Sequence, residues 1–323
     1  MAQTLAQMSL TCAWLEAVLL GINCMLFGGC IFVLTSIRGP SYRVLIFASA
    51  FQFTLAATHA ALTFVQALEA FTDPIITSQP DGTNNYYFNS GGNGLNLAIL
   101  SIYVVNTYAQ ELLLLWRLFV VCNHRITLCI LPLSLWITHC VVGSMAVYQF
   151  TAKDANALKS NVVTFCLSGW GLEMTVNVTT SASIAYRLWR TGRRNADILG
   201  QFTQKLKAAI FMIIECGALI TTCTFVMFVL WAGGNPAGLI AASIAAQIAT
   251  ITPLLIIVRV GLDTTADKIN ARYSTSRPLE INVIRSQSSF RDYPMHIIPP
   301  NSETDADSSI AKAEGGHKSI SVL

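Results

Sequence analysis

Seven ionisable side chains interrupt runs of sequence that are otherwise apolar: Glu16, His59, Glu111, Arg117, His139, Glu173 and Glu215. Near the centre of a membrane span a carboxylate or guanidinium costs about 2.5–3.5 kcal/mol on insertion scales, so each needs a proton, a hydrogen bond or a counter-charge. A proton relay would use the deep glutamates with His59 or His139. A metalloenzyme would need about three converging ligands. The two span histidines lie on different runs with no His-x3-His pair, so a metal site and an intramembrane metalloenzyme are set aside. A retinal Schiff base is excluded, because the last apolar run has no lysine. The reading is therefore not an enzyme, with no cofactor.

Glu111 and Arg117 share the run "NTYAQELLLLWRLFVVCNHR". At 100° per residue they fall about 120° apart, too far to pair, so each seeks a partner on a neighbouring helix. Glu215 is the expected partner of Arg117. Glu16 and Glu69 fall near the outer interface, within reach of water, whereas Glu111, Glu173 and Glu215 are deeper. Asn96, Tyr103, Asn106, Gln110 and Arg117 share one stripe, and Ser101, Tyr108 and Glu111 a second. Together these cover more than half the helix circumference, which sends this helix through the middle of a bundle. Narrower stripes run through Gln52, His59 and Gln66, through Trp170, Glu173, Asn177 and Thr180, and through Ser243, Gln247 and Thr250. Such residues hold helices together as readily as they bind ligands. The candidate ligand site is Tyr103, Asn106, Gln110, Glu111, Trp170, Glu173, Asn177 and Gln247. These residues are expected to enclose a polar, hydrated cavity that opens outward near Tyr103 and Trp170.

The elements that carry these side chains follow from composition. Of 323 residues 53% are hydrophobic and 11% charged, against about 25% charged in a soluble domain. Apolar runs predict an all-α bundle of seven membrane-spanning helices near 13–36, 44–70, 95–122, 126–150, 162–187, 207–231 and 238–260. The first reads as a signal anchor. One side of the membrane then holds Arg38, Arg43, Arg125, Arg187, Arg190, Arg193, Arg194, Lys205, Lys207, Arg259, Lys268, Arg272 and Arg277; the other holds Lys153 and Lys159. This asymmetry puts the N-terminus outside and the C-terminus in the cytosol, with the plasma membrane the preferred location. Residues 1–262 form the membrane domain, and 263–323 form a serine-rich, largely disordered cytosolic tail.

The outer connection Phe71–Gly94 reads as turns with a short hairpin around Asn85–Phe88, capping the cavity. Ala241, Ala245 and Ala249 predict a close-packing face, and Pro253 a kink. Most of the nine cysteines lie in apolar runs as small packing residues; Cys12 and Cys166 fall near one membrane face, where they could pair. Asn177-Val-Thr matches a glycosylation acceptor but lies inside a span, out of the transferase's reach.

The motifs "ELLLLWR" (Glu111–Arg117), "TTSASIAYRLWR" (Thr179–Arg190), "IIECGALI" (Ile213–Ile220), "PLLIIVRVGL" (Pro253–Leu262) and "ATHAALTFVQALEAF" (Ala57–Phe71) together resemble a large family of seven-helix membrane proteins of mushroom-forming fungi. The resemblance spans roughly residues 13–262. It departs at Glu111, where the family often has Asp, at Trp116, where Tyr is usual, and at Asp263, where Gly is common. It implies a fold and no activity.

A receptor-like protein sensing a small molecule or peptide fits the seven spans, the external N-terminus and the basic segment Arg187–Lys207, which with the tail offers a cytosolic signalling protein a docking surface. The rhodopsin-like Asp/Glu-Arg-Tyr triplet is absent, replaced by Trp-Arg-Leu. A proton-coupled transporter is the alternative, although no internal repeat supports it; a membrane scaffold is the third. Membrane lipids are the surroundings in every case, and no nucleic acid is expected. The sequence leaves the oligomeric state open.

Overall fold

The computed structural model describes residues 5–37, 42–88, 93–123, 125–151, 160–194, 200–235 and 237–275. The described residues form α1 (Leu5–Ile37), α2 (Tyr42–Thr72), α3 (Pro74–Thr77), α4 (Gly82–Phe88), α5 (Gly94–Val121), α6 (Ile130–Gln149), α7 (Ser160–Arg194), α8 (Gly200–Ala232) and α9 (Gly238–Thr275), with no strand among them. Six of these helices, α1, α2, α5, α6, α8 and α9, are long and apolar enough to cross a membrane, so the chain is a multi-pass integral membrane protein. The 35-residue α7 is as long but more polar. Most helices outrun the apolar runs that announce them, because a helix continues through polar flanks once its centre is packed. Packing divides the chain into a unit ending at Lys268 and a second over Ile269–Val322, of which only the end of α9 is described.

Helix ends follow local chemistry. Asn123 adopts a left-handed conformation (φ 54°) just past α5, the position where a non-glycine terminator is most often Asn. A single 3-10 turn, Ile126–Leu128, intervenes before α6, so that helix starts later than its apolar run. Asn93 caps α5 by accepting the Leu95 N–H at 3.3 Å. The expected hairpin around Asn85–Phe88 is instead the helix α4. Asn84 bonds back to Asp81 and accepts the Ala6 N–H from α1 at 2.8 Å. Thr83 donates to the Ala70 carbonyl at 3.1 Å, and the Tyr86 hydroxyl to Glu69 at 2.9 Å. A two-turn helix too short to persist alone is thus tied to α1 and α2.

The bundle is apolar outside and polar within. Met25, Phe47 and Phe211 are 80%, 73% and 72% exposed, as suits side chains that meet lipid. Lipid tails give apolar side chains no reason to leave them, so close packing and interhelical hydrogen bonds must hold the helices together. α1 packs on α2, α2 on α5, α5 on α6 and α7, and α7 on both α6 and α8. Gly217 of α8 lies so close to Ser181 of α7 that a Cβ would come within 2.6 Å of its hydroxyl. On α9, Ala241, Ala245 and Ala249 are buried as the spacing predicts, and Ala241, Ala245 and Ala246 cluster with Tyr103 and Met227. As expected of a helix in the middle of the bundle, α5 packs on α2, α6 and α7 and bonds to α9 through Asn106 and Arg117. Of the six apolar spans α9 is the most enclosed, with 67% of its apolar window buried against 39% for α5. Small residues on α9 allow close approach, which its polar pattern alone does not reveal.

Two further segments belong to helices. α9 runs on through residues 263–275, the start of the expected tail, and the rest of the tail from 276 onward lies outside the described residues. The basic segment Arg187–Lys207 is largely the end of α7 and the start of α8, with 195–199 outside the described residues.

Candidate functional site

The inward polar stripes gather into two clusters, each built on a Glu–His contact. In the first, Glu16 of α1 meets His59 Nδ1 of α2 at 2.5 Å. Gln247 of α9 donates to the same carboxylate oxygen at 3.0 Å and to the Ala56 carbonyl at 3.1 Å, while Asn23 of α1 donates to its Oε1 at 2.8 Å. All four side chains are at most 3% exposed. Glu16 is therefore not a solvated residue: it is buried and faces the bundle.

The second cluster joins α5, α6, α7 and α8. Glu111 Oε2 contacts His139 Nδ1 at 2.8 Å. The Tyr108 ring stands edge-on to the imidazole at 5.2 Å, and its hydroxyl donates to the Cys140 carbonyl at 2.9 Å. Glu173 of α7 accepts from the Thr224 hydroxyl of α8 at 3.1 Å and lies within reach of the Tyr103 hydroxyl. Trp170, one turn before Glu173 on α7, packs edge-to-face on Trp231 at 5.5 Å.

Between α5, α6 and α7 these groups leave a cavity whose room for water-molecule centres is about 40 Å³. Tyr103, Tyr108, His139, Phe165, Trp170 and Glu173 are among its lining residues. Three of the eight candidate residues, Tyr103, Trp170 and Glu173, thus face it directly, and Glu111 stands behind His139. The other four do not line it. Asn106 donates to the Ala246 carbonyl and to Thr250 on α9 at 2.8 and 3.2 Å, Gln110 donates to Asn177 at 3.1 Å, and Gln247 belongs to the first cluster. The expected convergence of three helices on one polar cavity is replaced by paired contacts and an aromatic-walled space. The closure is incomplete, for Glu111 Oε1, Gln110 Oε1, Asn177 Nδ2 and Thr180 Oγ1 are buried without a hydrogen-bond partner.

The expected Arg117–Glu215 pair does not form. Arg117 donates to the carbonyl of Pro253 on α9 at 3.1 Å. Glu215 pairs with Arg259 at 2.8 Å, with the two side chains 63% and 45% exposed. The reason is facial: Glu215 stands on the outward side of α8 beside the exposed Ile214, while Arg117 turns toward α9. Cys12 and Cys166 are both free thiols. Asn177 is fully buried, out of a glycosyltransferase's reach.

The histidines as partners of Glu16 and Glu111 were the element missing from the sequence reading. His59 carries a signal, its seven-residue spacing from Gln52 and Gln66; His139, amid Trp136, Ile137, Cys140 and Val141, carries none. No family model, curated protein or solved structure matches the chain.

Proposed function

We propose that the chain is a seven-helix membrane protein of receptor-like topology that senses a small molecule in the cavity between α5, α6 and α7. The carrying observation is that cavity, a cleft between three helices that is lined by apolar and aromatic side chains together with His139 and Glu173, the mixture usual in a small-ligand site. Its volume leaves no place for a peptide. In this reading α7 is the seventh crossing, since it packs against α5, α6 and α8 and turns Glu173, Asn177 and Thr180 inward. The basic-residue asymmetry gives an external N-terminus and a plasma-membrane orientation, and the likeness to seven-helix proteins of mushroom-forming fungi belongs to the same reading. The cytosolic ends of α7 and α8, with the tail, would meet a signalling partner. The test is a small-molecule screen on the purified protein in lipid nanodiscs, read by thermal stability. Stabilising compounds should lose their effect in Trp170→Ala, and a hit list indifferent to Trp170 and Tyr103 would remove the cavity from consideration.

A second reading, proton-coupled transport, draws on the two Glu–His contacts. Both occupy the buried centre of the bundle, where intramembrane ionisable groups commonly carry protons. Substrate uptake by liposomes under an imposed proton gradient separates the two.

A further inference from the structure

The cavity has a chemical bias that the receptor-like reading leaves unused. Its charged neighbours are carboxylates: Glu173 lines it, and Glu111 stands behind His139 with one oxygen buried and unpartnered. Among the described residues no lysine or arginine lines it. Arg117, on the same helix as Glu111, is turned away to the Pro253 carbonyl. Four aromatic side chains, Tyr103, Tyr108, Phe165 and Trp170, are among the remaining lining residues, with aliphatic and small ones between them. Carboxylate and aromatic faces together attract a cation, and more strongly where water is excluded.

We propose that this cavity takes a small organic cation, an alkylammonium of about three heavy atoms. The size follows from the volume: one water-sized group needs about 10–15 Å³ of such space, so 40 Å³ admits about three. The inference rests on the cavity being the ligand site and adds the ligand's charge and size. The groups that face Glu173 are Tyr103 and Glu111 from α5, His139 from α6 and Cys223 from α8; His139 is the one cationic candidate, and its Nδ1 is held by Glu111. A proton and an ammonium compete for the same carboxylate oxygens, so any proton held there must leave to water before the cation binds. Binding therefore tightens as pH rises, until the amine itself loses its charge.

The experiment uses the full chain in nanodiscs at constant ionic strength, titrated with ethylammonium and with ethanol as the neutral probe of equal size. The readout is tryptophan emission, with Trp170→Phe identifying the signal that belongs to the cavity. Ethylammonium should bind at least tenfold more tightly than ethanol, weaken at least tenfold in Glu173→Gln, and weaken on acidification of the unaltered protein. That last measurement stands even if the variant fails to fold. Equal, pH-independent binding of both probes overturns the cationic class and leaves the cavity reading intact. If neither probe moves the Trp170 signal, the cation assignment falls; if the screened compounds also ignore Trp170 and Tyr103, the cavity reading falls with it.

Discussion

The Glu16 carboxylate oxygen that contacts His59 at 2.5 Å also accepts the Gln247 amide at 3.0 Å. One buried atom thus ties α1, α2 and α9. Removing the imidazole leaves a carboxylate in a dry interior, a change that costs about 3–5 kcal/mol when a buried pair is broken from one side. His59→Ala should therefore lower the unfolding midpoint in mild detergent sharply. Glu16→Gln, which keeps an acceptor for Gln247 and removes the charge, should be milder. The double variant should be less damaged than the sum of the two, because residues in contact do not act additively. Strict additivity would show that the contact carries no coupling.

Arg117 and Glu215 should behave as strangers. A double-mutant cycle of Arg117→Ala with Glu215→Gln should give a coupling within about 0.3–0.5 kcal/mol of zero, the scatter of independent sites. The cycle of Arg259→Ala with Glu215→Gln should give about 0.2–1 kcal/mol, the range for exposed pairs. A large coupling in the first cycle would restore the pairing that the structure removes.

Gly143 of α6 is held open for Tyr108. A Cβ there would stand 2.3 Å from the Tyr108 hydroxyl oxygen and 3.2 Å from its ring carbon. Gly143→Ala should destabilise the bundle by about 1–3 kcal/mol, as overpacking does. Adding Tyr108→Phe removes the clashing oxygen and should recover part of the loss in thermal melts. If Tyr108→Phe worsens Gly143→Ala, the hydroxyl matters more through its bond to the Cys140 carbonyl than through its bulk.

Seven crossings require the termini to lie on opposite faces. A reporter before Met1 should be accessible from outside intact cells, and one after Leu323 only after permeabilisation. Both on one face would mean that α7 does not cross, an outcome its polarity makes worth testing directly.

On the short helix α4, burial pushes the Tyr87 phenol up to about 12, from an ordinary value of 10.0. Below pH 10 the phenol is neutral whether α4 is docked or free, and the docked helix keeps its full stability. As pH rises from 10 to 12 the free segment ionises while the docked one does not, so docking weakens across that window. Phenolate absorbance should show a late-titrating tyrosine that reverts toward 10 in Asn84→Ala, which loosens α4 from α1.

Composition and apolar run length were enough to read a helical, multi-pass membrane protein, because lipid leaves the backbone few other choices. Facing was partly legible. Asn106, Gln110, Glu173, Asn177 and Gln247 all point inward as their stripes require, since a narrow polar stripe has one comfortable direction. Pairing was not legible, because the rotation of each helix about its axis is set by neighbours that periodicity does not identify. Glu215 looked as deep as Glu173 yet stands exposed, and Glu16 looked shallow yet is buried. His139 had no stripe of its own, so its contact with Glu111 left no trace in spacing. The α4 helix was hidden for a different reason: Asn, Gly and Tyr read as turn residues, and only tertiary contacts with Ala6, Glu69 and Ala70 hold them helical.

Gln247, Ala246, Thr250 and Pro253 all lie on α9, and between them they serve Glu16, Asn23, Ala56, Asn106 and Arg117 on the three helices α1, α2 and α5. Ribosomes make chains from the N-terminus, so the helix that completes these bonds is the last of the described helices to leave the tunnel. Until then the earlier helices wait in the bilayer with polar groups that have no permanent partner. Assembly of this bundle is for that reason a late, post-insertion event governed by the arrival of α9.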